Sequence, residues 1–506
     1  MRINLYLASE MEYKRGLAHI LLSRGVVDTC LVNALPWTDC PKHDHIVRID
    51  HSPSLFAEYD EVCNINDLPA VSKDLMEMML PYESTAIKMG MRRLDYPTAE
   101  YEEEKRKYLQ HLRYWDYMLR KYEINLIIMS TYPHSPGSYV MYGLARIKKI
   151  PFLMWQQQDT FLNRCVWGES IEDIGMSIAR RFESLAEEDI SEDVLNDDIK
   201  NDYKRATKIP DRMEVTSFNR KKNRKANAYR EKQVKDRIKE YRRRLFRLVA
   251  KSILKTGSLD LYEKKAIWFR TWRRSFTAYK YYKHFNEITV DEYDRKLAVD
   301  ADITQKYILF LLQFQPEAST LPQAGVFAEQ YNSIQLLARA AKKVGAFVYV
   351  KEHPHNHGRH RDFYDEIRFI DNVKLIRSYE LTYDLMKHSI GISTQTGTCI
   401  WEAVGMKKPV FVFSSGYFWK GCPGVFEIVD EDQGASVIRS AINGVDITDD
   451  NIQKYLYAIQ METISEITPW EMNEYAENPS VNAPMIDMDD RIKLINSFIK
   501  EKCHEL

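Results

Sequence analysis

Two short segments about forty residues apart hold the residues best suited to chemistry. The first, FVYVKEHP, is a short apolar run that ends by presenting Lys351, Glu352, His353 and Pro354. The second, IGISTQTGTCIWEAVGMKKPVFVF, begins at Ile390 and reads as strand, Ser/Thr/Gly turn, helix and strand. Where a strand becomes a helix, free backbone N–H groups and the helix dipole favour an anion. Ser393, Thr394, Thr396 and Thr398 add hydroxyl donors there, Gly397 lets a ligand approach the backbone, and Glu402 can accept from ribose hydroxyls. The same residue types also suit a plain helix N-cap. Proline after His353 forces it toward extended geometry. An imidazole pinned at a strand end can donate to a phosphate or protonate a leaving group.

Other polar loops compete for roles. Gln313-Phe314-Gln315-Pro316-Glu317 ends an apolar strand, and Gln315 is expected to face the same cleft as His353. An ordinary strand-to-helix loop is the alternative there. Ser130-Thr131-Tyr132-Pro133-His134-Ser135 follows another buried strand, which makes His134 a candidate base for a hydroxyl acceptor, with Glu10 and Glu12 as rivals. His353, His355, His357 and His360 alternate in a loop with Pro354 and Gly358 and no acidic partner, a poor pre-formed metal site. No metal or cofactor is therefore expected.

These loops need scaffolds. In 1–175, strands at Ile3–Leu7, Ile124–Met129 and Pro151–Trp155 alternate with helices at Lys14–Arg24, Ala99–Tyr122 and Tyr139–Lys149, which is the βαβ grammar of a parallel sheet. The grammar returns over 301–445, with strands expected at 307–314, 346–350, 373–376, 389–393 and 409–413 and helices at about 328–344, 360–370, 380–387 and 398–405. Between them, 176–300 reads as helical and strongly charged, and 446–506 reads as a helical, acidic tail that packs back toward the first domain. The expected fold is α/β, a pair of Rossmann-type domains with a basic helical insertion, whose polar strand ends meet a ligand at the carboxyl edge of each sheet.

The chain has 506 residues, enough for two or three cores, and its net charge of −1 conceals a segregation. From Arg220 to Lys283 there are 23 Lys/Arg against 5 Asp/Glu, interleaved with Trp268, Trp272, Phe276 and Tyr279, while the remainder carries 49 basic and 68 acidic residues. Solvated helices account for this, as does contact with an anionic membrane surface through 220–283. Nucleic acid is the weaker reading, because no recognised motif accompanies the run. No run approaches the roughly 18 apolar residues of a membrane span. The first residues read as a strand, without a signal peptide's apolar core. Seven scattered cysteines without CxxC suggest reduced thiols and a cytoplasmic protein, peripheral to the membrane at most.

The KEHP strand end, the EAVGMKKPVFVF helix-to-strand passage and the QPE loop together resemble the nucleotide-binding half of bacterial surface-polysaccharide glycosyltransferases of the GT-B fold. The likeness is to the capsular-polysaccharide group that includes Kdo transferases and bacterial sialyltransferases. It covers about 305–430, more loosely 124–160, and none of the insertion. The resemblance implies that His353-Pro354 and Ser393-Thr394 hold the CMP of a donor carrying a Kdo or sialic-acid type sugar. It also implies an inverting, metal-independent transfer onto a surface-polysaccharide or lipid-linked glycan acceptor. The acidic base motif of the sialyltransferases has no match here, so the base stays open between His134 and the Glu10/Glu12 pair. Polymerases that transfer glycerol phosphate from CDP-glycerol share the His plus Ser/Thr architecture and are the enzymatic alternative. A non-catalytic peripheral membrane assembly protein with a GT-B-like shell is the other.

Overall fold

The computed structural model describes residues 2–8, 16–33, 43–49, 57, 59, 63, 67–91, 101–129, 131–157, 164–208, 290–313, 317–353, 359, 361–413, 419–444, 447–465 and 488–502. The basic run 220–283 and the residues Glu10, Glu12, Gln315, Pro354, His355, His357 and His360 lie outside the described residues.

The chain forms two Rossmann-type sheets. The first contains β1 (Asn4–Ala8), β2 (Thr29–Asn33), β3 (Ile46–Ile49), β4 (Leu126–Met129), β5 (Phe152–Gln157) and β6 (Arg164–Gly168). The second contains β7 (Tyr307–Leu311), β8 (Phe347–Lys351), β9 (Val373–Ile376), β10 (Gly391–Thr394), β11 (Val410–Val412) and β12 (Val425–Glu427). A last strand, β13 (Ile464–Ser465), returns to the first sheet, giving the orders β13-β6-β5-β4-β1-β2-β3 and β12-β11-β10-β7-β8-β9. In both sheets the first strand has the second on one side and the fourth on the other. The chain therefore reverses its direction of travel between β1 and β4 and again between β7 and β10. Such a switch opens a crevice beyond the carboxyl ends of the two strands.

The strands at these switch points form because they are apolar on both faces, as parallel strands covered by helices must be. Leu126–Met129 is buried throughout, and in YILFL only Leu311 is partly exposed. On one face of the second sheet Tyr307 and Tyr349 stack with ring centroids 4.1 Å apart. Their hydroxyls donate to Leu385 O (2.7 Å) and Asp302 O (2.9 Å), so neither phenol oxygen is left unpaired. The other face is covered by the helices Gln330–Lys342 and Glu431–Asn443, whose Ile334, Leu337, Ala341 and Ile438 pack with Ile308, Val348 and Val350. Gly391 opens β10 because a Cβ there would lie 2.6 Å from the Phe411 ring and 3.1 Å from Pro409 O.

Several elements differ from the sequence expectation. The stretch between the first and the long helix, for which the sequence suggested no element, contains β2, β3 and the helices Lys73–Met78 and Leu80–Met91. β3 is only four residues long and only Ile49 is buried, so it lacks the apolar run that marks a central strand. The helix expected to start at Tyr139 starts at Pro136, because Ser135 caps it reciprocally with Ser138: Ser138 N donates to Ser135 Oγ (3.2 Å) and Ser135 N to Ser138 Oγ (3.0 Å).

The tail expected as helical contains β13 as well as the helices Asp449–Glu462 and Met488–Lys502. β13 pairs antiparallel with β6, and Arg164 fixes the junction. Its Nε donates to Thr463 Oγ1 (2.6 Å) and its Nη2 to Gln460 O (2.9 Å) and Thr463 O (3.1 Å). Ile492, Ile495 and Phe498 of the last helix are buried in the core behind β1. Among the described residues no helix is long and apolar enough to cross a membrane.

Candidate functional site

The crevice of the second sheet lies at the carboxyl ends of β8, β7 and β10, three adjacent strands. Neighbouring strands are about 4.8 Å apart, so the outer two are about 10 Å apart. The sequence candidates cluster here, although alternation along each strand assigns them different tasks.

On β8 the face that carries Tyr349 also carries Lys351. Lys351 turns inward, 5% exposed, and its Nζ donates to Ser378 O (3.1 Å) and Arg377 O (3.4 Å). Burial lowers its pKa to about 8 against the opposing pull of Glu380, Asp294 and Glu352. Expected to contact nucleotide, Lys351 instead ties β8 to the loop after β9. His353 is half-buried just beyond the strand, and its backbone N–H donates to Glu352 Oε1 (2.7 Å). Glu352 is in turn held by Arg359 Nε (3.1 Å) and by the hydroxyl of Tyr364. The Arg359 side chain is 6% exposed and that of Glu352 10%.

On β10 the same alternation separates Ser393 from Thr394. Ser393 is sealed inside the sheet, its Oγ donating to Phe411 O (2.9 Å). Thr394 is 1% exposed, and the Cys399 thiol lies beside its Oγ1 as a weak hydrogen-bonding neighbour. Thr398 is exposed and makes no side-chain cap to the Cys399–Gly405 helix, so the capping alternative does not describe this turn. Glu402 accepts from Tyr383 Oη (3.2 Å), and burial raises its pKa despite that hydrogen bond.

Thr396 and Gly397 form the centre. The Gln313 carboxamide, at the end of β7, has the orientation in which all its bonds are satisfied. Its oxygen accepts from Thr396 N (3.0 Å) and Gly397 N (2.6 Å), and its nitrogen donates to Thr396 Oγ1 (2.8 Å). Thr396 Oγ1 then donates to Ser319 O (2.8 Å). Two successive N–H groups converging on one oxygen make a nest, the backbone geometry that receives anions. Gly397 is required for it, since a Cβ there would lie 2.7 Å from Thr394 Oγ1 and 3.5 Å from the Gln313 amide.

The backbone of Gln313 is clamped from both sides. Gln330, fully buried, accepts from Gln313 N (2.8 Å) and donates to Gln313 O (3.2 Å), which also accepts from Arg359 Nη2 (2.9 Å). A continuous path of polar contacts thus runs from His353 through Glu352, Arg359 and Gln313 to the nest. Arg359 and Gln330 escaped the sequence reading. Arg359 sits among the alternating histidines, and Gln330 looks like any polar residue at a helix start. Neither position is marked by a local pattern.

The crevice of the first sheet holds His134 after β4. His134 is exposed, and its Nδ1 lies 2.5 Å from Tyr132 O, which makes Nδ1 the donor and directs Nε2 away from that carbonyl. Glu10 and Glu12 belong to the segment after β1, outside the described residues.

No protein-family model matches the sequence, and no curated protein matches it. Among solved structures, the chain is similar to UDP-GlcNAc 2-epimerase from Methanocaldococcus jannaschii, at 9% identity over 91% of this chain and 99% of that one, with a TM-score of 0.22. It is similar to the beta Kdo 2,4 transferase of Thermosulfurimonas dismutans KpsC at 15% identity, covering 66% of this chain and 79% of that one, with a TM-score of 0.28. The beta Kdo 2,7 transferase of the same protein aligns at 11% identity over 81% and 95%, also with a TM-score of 0.28. At such values these likenesses carry nothing about activity.

Proposed function

We propose that the chain is a glycosyltransferase that takes a sugar of Kdo or sialic-acid type from a CMP donor and places it on a surface-polysaccharide or lipid-linked glycan. The observation that carries this reading is the nest at the switch point of the second sheet, already holding an oxygen at 2.6 and 3.0 Å from two backbone N–H groups. The donor phosphate binds Thr396 and Gly397, with Thr394 and Thr398 lining the turn and Glu402 meeting ribose hydroxyls. His353 neutralises the phosphate and protonates it as the nucleotide leaves. The acceptor hydroxyl attacks the anomeric carbon from the face opposite the breaking bond to phosphate oxygen, which inverts the centre, and its proton passes to His134 or to the Glu10/Glu12 pair. Fixed donors aimed at the leaving phosphate supply much of the rate. The basic segment 220–283 brings the enzyme to an anionic membrane surface where a lipid-linked acceptor resides.

Calorimetry with CMP, UDP, GDP and CDP compounds tests the donor. CMP is expected to bind most tightly, tight CDP-glycerol binding would move the assignment to a glycerophosphotransferase, and binding by none would leave only an assembly role. His353→Ala should reduce transfer by about 100-fold or more while the protein stays folded, since a single positioned acid contributes about that much. Near-normal turnover in that variant sinks the mechanism.

A further inference from the structure

We infer that the Gln313 carboxamide is a built-in competitor for the anion at this site: it occupies the Thr396 and Gly397 N–H groups and must swing away before a phosphate oxygen can take its place. The inference rests on the phosphate reading of the same nest and adds a gate to it.

Four observations converge. First, the Gln313 oxygen stands where an anion's oxygen would stand, 3.0 Å from Thr396 N and 2.6 Å from Gly397 N. Second, the Gln313 backbone is held independently of its side chain by Gln330 and Arg359, so the amide can leave by side-chain rotation while β7 keeps its place. Third, the Gln313 nitrogen occupies the Thr396 hydroxyl, so departure of the amide frees the two N–H groups and one hydroxyl oxygen together. Fourth, the Thr394 hydroxyl is 1% exposed, has the weakly bonding Cys399 thiol beside it, and stands so close to Gly397 that a Cβ there would lie 2.7 Å from it. A buried hydroxyl with a weak thiol neighbour, beside a nest held by a neutral amide, is a position that a stronger acceptor can take.

The competition is also selective. A carboxamide makes neutral hydrogen bonds, whereas a phosphate oxygen makes charge-assisted ones that are roughly twice as strong. Anions can displace the amide, and neutral acceptors of comparable strength cannot. Gln313 thereby sets a threshold of charge for entry and keeps the N–H pair satisfied otherwise.

The test uses the full chain labelled with ¹⁵N-glycine and ¹⁵N-threonine. Inorganic pyrophosphate and CMP are titrated against the wild type and three variants, followed by the Gly397 and Thr396 amide signals and by calorimetry. Gln313→Ala and the near-isosteric Gln313→Met, which keeps the chain length if the smaller residue unsettles the loop, should each bind pyrophosphate about tenfold more tightly, the equivalent of removing roughly one competing hydrogen bond. Gln313→Glu should bind it at least tenfold less tightly, because a carboxylate competes better for the N–H pair and repels the ligand. Pyrophosphate binding that is unchanged or weaker in both Gln313→Ala and Gln313→Met overturns the gate. So does the absence of any pyrophosphate-induced shift at Gly397 in wild type and variants alike. If pyrophosphate follows the expected order but no nucleotide binds, the gate stands and the nucleotide-sugar reading falls.

Discussion

At the ends of β7, β8 and β10 the polar groups are buried and bonded to one another, whereas at the end of β4 the one described candidate, His134, stands exposed on a capped helix start. Both crevices arise from the same strand reversal, so topology does not account for the difference. Chemistry does. A phosphate binds to donors whose positions are fixed in advance, and fixing them takes a buried scaffold such as the Arg359–Glu352 pair and the Gln330 clamp. A base that removes a proton from an incoming hydroxyl needs access and freedom to turn instead. Under the proposed function, one crevice serves as a holder and the other as an entrance.

The largest expected effect tests the holder. Removing Arg359 takes away the guanidinium that pairs with the Glu352 carboxylate, only 10% exposed, and breaking such buried pairs costs about 3–5 kcal/mol. Arg359→Ala should show that loss in chemical denaturation and should weaken pyrophosphate binding as the Gln313 carbonyl loses its outer donor. A loss below about 1 kcal/mol would mean the holder does not depend on this pair.

The entrance is probed by His134→Ala. If its imidazole is the base, kcat should fall by about 100-fold with the donor Kd unchanged. Weakened donor binding would dissolve the division between the crevices, and an unchanged kcat would transfer the role to Glu10 or Glu12.

The last effect, spread over more than two pH units, concerns the base of the holder. Lys351 has its folded-state pKa lowered to about 8 by burial, so between there and its ordinary value near 10.4 the unfolded chain binds the proton that the folded chain has released. Stability should rise with pH across that window, by up to about 1.4 kcal/mol per pH unit from this group, and the cost of the buried charge is fully present below it. Lys351→Met removes the titration. Its stability relative to wild type should be greatest near pH 7 and shrink as pH rises toward 10, with the comparison cancelling the tyrosines that both proteins share. A pH-independent difference would show that the ammonium is not the group responsible.

Much of the second sheet was legible in the sequence, since apolar runs such as YILFL and FVYVK announce buried parallel strands and Gly397 marks a close backbone approach. Edge strands such as β3 and β13 were not, because runs of four and two residues are too short to carry a periodicity above that of a loop. The sequence by itself placed His353 and the Thr396-Gly397 turn at strand ends and His134 after a buried strand, since strand breaks at Pro354 and in the Ser/Thr turn are local events. Only the tertiary structure decided which of these groups reach the crevice. Strand alternation turned Lys351 and Ser393 into the sheet, and a parallel order with β7 between β8 and β10 carried Gln313 into the nest. Residues 83 positions apart in the chain meet there because sheet pairing, unlike helix periodicity, is set by partners that a single segment does not encode.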